Sequence, residues 1–293
     1  MNIDHGLEMK DYNGSLLVLS SLQAYFKPIV PYGFAVKYVS KGLEKYHLGK
    51  ETYEVTEGKY LLLNSSHTGH VEIDSHQPVE GICINITTTL LENMVASMVR
   101  PDAAIPDADL GKFFTTSLFI ESAYEASQTE LGKALLYLNQ KLQSREISLD
   151  NLSPEFFYNI SEKIVADYTP VCRQLQSIPA VKPLTKKELY KKILRAKEYI
   201  DAAFATPLTT ESMAKECCLS EYHFLRLFKG VFRLSPHQYL IRKRLECGRQ
   251  MLERQQTPVS VVALECGFSD IHGFSGAFRN YFGFNPSSLL FKN

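Results

Sequence analysis

The chain has 293 residues, with 32 Lys+Arg against 32 Asp+Glu, 45% hydrophobic and 22% charged residues. This ordinary globular composition excludes a disordered, collagen-like or low-complexity chain. The length predicts two domains at roughly 100–200 residues each, and no run approaches the about 20 apolar residues of a membrane span.

The zero net charge conceals an asymmetry. Residues 185–293 carry 17 Lys/Arg and 10 Asp/Glu, a net of +7, whereas residues 1–184 carry 15 and 22, a net of −7. A basic domain is the electrostatic footprint expected for a polyanion partner.

In chain order, the opening MNIDHGLEMKDYNG has neither the basic segment nor the apolar stretch of a secretory signal. Six cysteines (83, 172, 217, 218, 247 and 266) are too scattered for a disulfide framework. Reduced thiols in the cytoplasm are expected. Short β-rich runs follow: SLLVL (15–19), FAVKYVS (34–40), LEKYHLG (43–49), ETYEV (51–55), KYLLLN (59–64), HVEID (70–74) and EGICINIT (80–87). Gly42, Gly49-Lys50, Glu57-Gly58 and Asn64-Ser65-Ser66 punctuate them. Such closely spaced strands predict an antiparallel sandwich or barrel over residues 15–87.

Helical spacing takes over in residues 88–176. Leu131, Leu135, Leu138 and Leu142 mark one helix face, and Phe157, Ile160, Ile164 and Tyr168 mark another. The stretch SIPAVKPLTKKE has two prolines and no apolar periodicity, so residues 177–187 are the predicted linker. Residues 188–293 then read as all-helical.

The last 80 or so residues contain a degenerate duplication. At an offset of 49, Glu216-Cys217 matches Glu265-Cys266, Ser220 matches Ser269 and His223 matches His272. At an offset of 50, Phe224, Phe228, Lys229, Phe232 and Pro236 match Phe274, Phe278, Arg279, Phe282 and Pro286. Each copy reads as helix, tight turn, helix, over about 209–232 and about 258–282. In the first, Thr210 is the expected N-cap, Met213, Ala214 and Cys217 face inward, and Ser220 caps the second helix. In the second, Val259, Val262, Ala263 and Cys266 face inward and Gly267 suits a left-handed position. Phe224, Phe228, Phe274 and Phe278 are expected in the core rather than as stacking platforms.

The pieces FLRLFK, SPHQYL, RLE, GFSD and F-x3-F-x3-FG-x2-P stand in order over residues 219–289. They resemble the DNA-binding domain of AraC/XylS-type regulators over about residues 188–290. GLEKYHLGKETYEVTEGKYLLLNSSHTGH (42–70) is similar, more weakly, to the cupin-like effector domain of such proteins. The expected architecture is therefore α+β with two domains: a cupin-like sheet with following helices over 1–176, and a double helix-turn-helix domain over 188–293. The resemblance implies a sequence-specific transcription factor, not an enzyme, that binds promoter DNA. It further implies a small-molecule effector, contact with RNA polymerase, a homodimer, no membrane and no cofactor. Two other readings stay open: an N-terminal half that only dimerises or binds protein partners, and a cupin-type enzyme with a fused helical domain.

By position in the family pattern, Glu221, Tyr222, Leu225 and Arg226 are the exposed residues of the first recognition helix. Arg226 is the candidate for a bidentate guanine contact, and Tyr222 and Leu225 can pack on thymine methyls. Ser220 and Lys229 suit phosphate contacts, which position without specifying. The second helix departs from the pattern: Gly276 stands where an arginine is common, and Gly273 where a larger residue is common. Ile271 and His272 remain to face bases, with Ser269 and Arg279 gripping the backbone. The helix from about 236 to 252, with Pro236 in its first turn, would hold the two readers about one turn of DNA apart. Candidate effector-pocket residues are Phe34, Tyr38, Tyr46, Tyr53, His70 and Asn85.

No GxSxG elbow, P-loop or GxGxxG occurs. Asp102, Asp107 and Asp109 read as turn and cap residues. His67, His70 and His76 lack the His-x-His-plus-Glu spacing of metal cupins, so no metal site is expected. Cys217-Cys218 reads as a pair of inert buried thiols.

Overall fold

A computed structural model of the protein describes residues 6–29, 33–98, 111, 113–116, 119–180, 182–255 and 257–290. Asp102, Asp107 and Asp109 lie outside the described residues. The chain divides into two compact units, Met1–Arg173 and Gln174–Asn293. Among the described residues, no helix is long and apolar enough to cross a membrane.

The first unit is built on one antiparallel sheet. Its strands are β1 (Leu7–Tyr12), β2 (Ser15–Ile29), β3 (Phe34–Lys41), β4 (Leu43–Leu48), β5 (Glu51–Thr56), β6 (Lys59–Asn64), β7 (Gly69–Ile86) and β8 (Ala123–Glu125). The main path runs β1-β2-β7-β3-β6-β8, and β4 joins β5 to β7. Strand β7 organises the sheet. It follows β2 along nearly its whole length, with a register shift between Leu22 and Ala24. Its early part, Gly69–Glu72, pairs with β4, and its later part, Glu80–Ile86, pairs with β3. The sheet thus doubles into two layers that share β2 and β7.

Alternation along the strands supplies the core between the layers. Leu22, Ala35, Val39, Tyr46, Leu48, Val55, Leu61, Leu63, Ile73 and Val79 form one buried cluster. Residues of opposite parity face the other way. Phe34 meets Phe114 and Phe119 at ring-centroid distances of 5.9 and 4.9 Å, and Tyr12 meets Phe157 at 5.3 Å. The helices of this unit are α1 (Thr88–Met98), α2 (Glu130–Gln143) and α3 (Pro154–Gln176). Leu131, Leu135 and Leu138 are buried in α2, and Phe157, Ile160 and Ile164 in α3.

Three strand expectations change. SLLVL extends to Ile29, and HVEID and EGICINIT join as the single strand β7. Strands β1 and β8 are additional. LEMKDY alternates weakly; among the described residues β1 is an edge strand paired with β2 alone, so pairing rather than composition makes it a strand.

The second unit is helical: α4 (Pro183–Ala203), α5 (Thr210–Glu216), α6 (Glu221–Phe232), α7 (Pro236–Gln255), α8 (Val259–Glu265) and α9 (Ile271–Phe282). Residues 183–187 of the expected linker are therefore helical. Pro183 begins α4 instead of breaking it, since a proline at the first helical position lacks only an N–H that would be unbonded anyway. The N-cap of α5 is Thr209, not Thr210. Its hydroxyl accepts from the Ser212 N–H while Ser212 closes a reciprocal capping box.

Phe224, Phe228, Phe274 and Phe278 are fully buried. Truncating such a phenylalanine costs about 3–5 kcal/mol, so packing accounts for them. Around the second copy, Leu245 and Leu252 of α7 join Val262, Ala263, Cys266, Phe274 and Phe278 in one cluster.

Candidate nucleic-acid interface and sheet cavity

The two copies are built alike but capped differently. Helix α6 starts at Ser220, whose hydroxyl accepts from the His223 N–H. Cys218 takes the left-handed conformation (φ +52°) in the preceding turn. One face of α6 buries Phe224, Leu227, Phe228 and Val231. The other presents Glu221, Tyr222, Leu225, Arg226 and Lys229 to solvent, with Tyr222 76% exposed. Among the described residues, no hydrogen bond or ion pair holds the Arg226, Lys229 or Arg279 side chain.

Helix α9 buries Phe274 and Phe278 and exposes Ile271, His272 and Arg279. Its cap is Asp270, whose carboxylate accepts from the Gly273 N–H at 2.8 Å and from the Ser269 hydroxyl at 3.1 Å. The backbone N–H of Gly273 and the Ser269 hydroxyl hold the Asp270 carboxyl below its usual range. The cap is thus a carboxylate in the second helix and a serine in the first, whose own carboxylate, Glu221, follows one residue on. Sequence comparison of the copies contains this difference as Leu219-Ser220 against Ser269-Asp270, but the cap position identifies its effect.

Helix α7 joins the copies. Twenty residues span about 30 Å at 1.5 Å each. Arg244 on α7 donates to the carbonyls of Phe204 and Thr206 at 2.7 and 2.9 Å and lies over the Phe268 ring. It fastens the end of α4 to α7 and is thereby committed to structure. Arg242 and Arg249 pair with Glu246 and Glu253 one turn on.

In the sheet unit, a cavity of about 280 Å³ lies between the layers. Tyr38, Tyr46 and Asn85 of the expected residues border it. The other three do not. Phe34 packs on Phe114 and Phe119, Tyr53 packs at the edge of the core with its hydroxyl donating to Glu51, and His70 points to the outer face of the sheet against His47. The strand reading missed Lys37, Glu44 and Cys83, which line the cavity together with apolar Leu22, Ile29, Val71, Ile73 and Ile82.

Lys37 and Cys83 are direct partners across β3 and β7. The Lys37 ammonium donates to the Cys83 sulfur at 2.6 Å, and the Asn85 amide donates to it at 3.3 Å. Burial works against the Lys37 charge, but the neighbouring Cys83 and Glu44 outweigh it and leave its pKa raised. The Glu44 carboxyl, bonded by the Tyr46 hydroxyl, is raised by burial despite that bond and Lys37. The cavity wall therefore combines an enclosed polar cluster with an apolar remainder.

His67 and His70 take separate partners. His67 bonds Glu121 at 3.0 Å, while His70 stacks on His47 at 4.4 Å. Cys217 is buried, with burial pushing its thiol up, whereas Cys218 is exposed, so the pair is not jointly buried.

The second unit is a tandem helix-turn-helix domain. Residues 213–290 match the helix-turn-helix domain family. The chain is 33% identical over 155 residues to the HTH-type transcriptional regulator ArgR of Pseudomonas aeruginosa, covering 53% of this chain and 45% of that protein. It is 36% identical over 93 residues to the probable transcriptional regulator LumQ of Photobacterium leiognathi, covering 32% and 38%. A solved AraC-type transcriptional regulator from Chromobacterium violaceum is 30% identical, with 34% of this chain and 90% of that chain covered and a TM-score of 0.33. The matches span less than half the length of the two curated relatives. The helical unit is thus similar to the DNA-binding domains of HTH-type transcriptional regulators.

Proposed function

We propose that the protein is a transcription regulator that binds specific promoter DNA through α6 and α9 and answers to a small organic effector held in the sheet cavity. The observation that carries the DNA reading is the solvent face of α6. Tyr222, Leu225, Arg226 and Lys229 stand free at a helix whose opposite face is packed, in a unit of net positive charge. An α-helix fits the major groove of B-DNA, and an arginine there discriminates guanine by about 1–3 kcal/mol. Helix α9 contributes Ile271 and His272 beside Asp270, so it reads fewer bases than α6, with Ser269 and Arg279 on the backbone. The Ser269 hydroxyl must leave Asp270 to do so.

The cavity supports the effector reading over a purely dimerising N-terminal half. A ligand there would place polar groups near Lys37 and Asn85 and its apolar body along Ile29, Ile73 and Ile82. Homodimerisation through the helices that follow the sheet is part of the proposal, supported by the exposed Leu136, Tyr137 and Tyr158. So is contact with RNA polymerase at the promoter.

The experiment is Arg226→Ala in the full chain, with affinity measured on a selected cognate duplex and on random duplex at one salt concentration. The cognate affinity should fall by about 1–3 kcal/mol with little change on random DNA. Equal loss on both would refute base reading.

A further inference from the structure

A second cluster lies on the outer face of the sheet, away from the cavity wall. His47 and His70 are direct cross-strand partners of β4 and β7, and Glu72, opposite Lys45, is the diagonal neighbour of His47. Such positions bring side chains of one face within reach of one another. One ligand atom each from His47, His70 and Glu72 lies within 4.8 Å of the other two. The His47 Nε2 atom is 3.0 Å from a Glu72 oxygen, and the two imidazoles are stacked 4.4 Å apart. In a tetrahedral zinc site with bonds of about 2.0–2.1 Å, ligand atoms stand about 3.3 Å apart. Bonding geometry is reached when the two imidazoles turn out of their stack so that one nitrogen of each converges with Glu72 on the ion.

The surroundings favour a metal over a simple ion pair. The Thr52 hydroxyl is 3.0 Å from His47 Nδ1, so it fixes the ring and leaves Nε2 as the donor. That is the outer support ligating histidines commonly have. Phe26 covers the His70 ring at 4.6 Å on the other side. Lys45, the nearest cation by register, is turned to Glu54 at 3.9 Å. The close approach of the strands is itself built in: a Cβ on Gly69 would lie 1.8 Å from the His47 carbonyl oxygen, so only glycine lets β7 approach β4 there.

We propose that His47, His70 and Glu72 form a binding site for a divalent transition-metal ion of the zinc class. Two imidazoles and one carboxylate are borderline ligands suited to zinc, and they leave a fourth position open to water. The ion sits between His47 and Glu72 and clips β4 to β7.

The test uses the full-length protein, freed of metal by a chelator and titrated with Zn2+ against a chromogenic competitor. One ion per chain is expected, with a Zn2+-dependent rise in Tm. His47→Gln and Glu72→Gln should each weaken binding by about tenfold at the least, the loss caused even by removing an outer partner of a ligand. His70→Gln provides a further variant should either fail to fold, and His76→Gln should leave binding unchanged. With Co2+ in place of Zn2+, visible bands without thiolate charge-transfer absorption are expected. Absence of binding, binding that survives the ligand substitutions, or a thiolate signature placing the ion on cysteine would overturn the proposal.

Discussion

Glycine 276 lies on the exposed side of α9, and a Cβ built there meets nothing within 4 Å. Helix interiors favour alanine over glycine by about 0.8–1.0 kcal/mol, largely through backbone entropy. Gly276→Ala should therefore stabilise the helical unit by about 0.5–1 kcal/mol, seen as a higher denaturant midpoint at unchanged slope. A lower midpoint would mean that α9 needs the glycine for something other than folding. Gly267 is the opposite case. Its φ is +80° and an added Cβ would lie 2.7 Å from the Ala205 carbonyl, so conformation and space both require glycine in that turn. In the sheet unit, the buried Glu44 holds its proton more tightly when folded than unfolded. Its contribution to stability is full below the ordinary carboxyl range and is lost as pH rises through the raised folded value. Glu44→Gln keeps the shape and removes that loss. The Tm advantage of the variant should grow as pH rises above the ordinary Glu value of roughly 4.3; a difference that stays constant with pH would mean that Glu44 does not titrate as the fold implies.

Among the elements, α7 carries the most constraint. Gly248 lies in its interior, yet a Cβ there would sit 2.9 Å from Cε2 and 3.0 Å from Cζ of the buried Phe274 ring. Helix propensity favours Gly248→Ala by about 1 kcal/mol, but overpacking of a filled core costs about 1–3 kcal/mol. The Phe274 ring is enclosed by Phe268 and Phe278, at 5.3 and 5.4 Å, and has little room to yield. The clash should win: the variant is expected to be less stable by about 1 kcal/mol in thermal or chemical unfolding, and a more stable variant would show that α9 slides freely on α7. The elements of this unit were legible in the sequence because its contacts are local and its phenylalanines repeat at helical spacing. The strands were legible where apolar and β-branched residues are dense, as in β3 and β6, which are buried on both faces. Strand β1 was not, since its pairing with β2, rather than its composition, makes it a strand.

For the whole molecule, the sequence reading reached the two-part architecture and the family, while the cavity and the outer histidine cluster depend on pairing across distant segments. Lys37 meets Cys83, and His47 meets His70, through the dual use of β7 by β3 and β4. The members of each pair lie on different strands, so the alternation of no single strand relates them. The same dependence explains the mixed outcome for the expected pocket residues. Strand parity assigns Ala35 and Lys37 to one face and Phe34 to the other, and a reading one residue out of step exchanges them. The capping difference between α6 and α9 was present in the letters, but its electrostatic meaning required knowing that Asp270 is the residue at the helix head.

If α6 and α9 read DNA as proposed, α7, one continuous rod between them, gives the protein its own ruler. A flexible tether would tolerate operators with variable gaps; a rod does not. Inserting a single base pair between the two contacted segments would turn the far segment by roughly 34–36° around the duplex axis, given 10–10.5 base pairs per turn. The protein would have to twist the DNA or abandon one segment, so genuine target sites should keep a constant phasing even where their bases diverge.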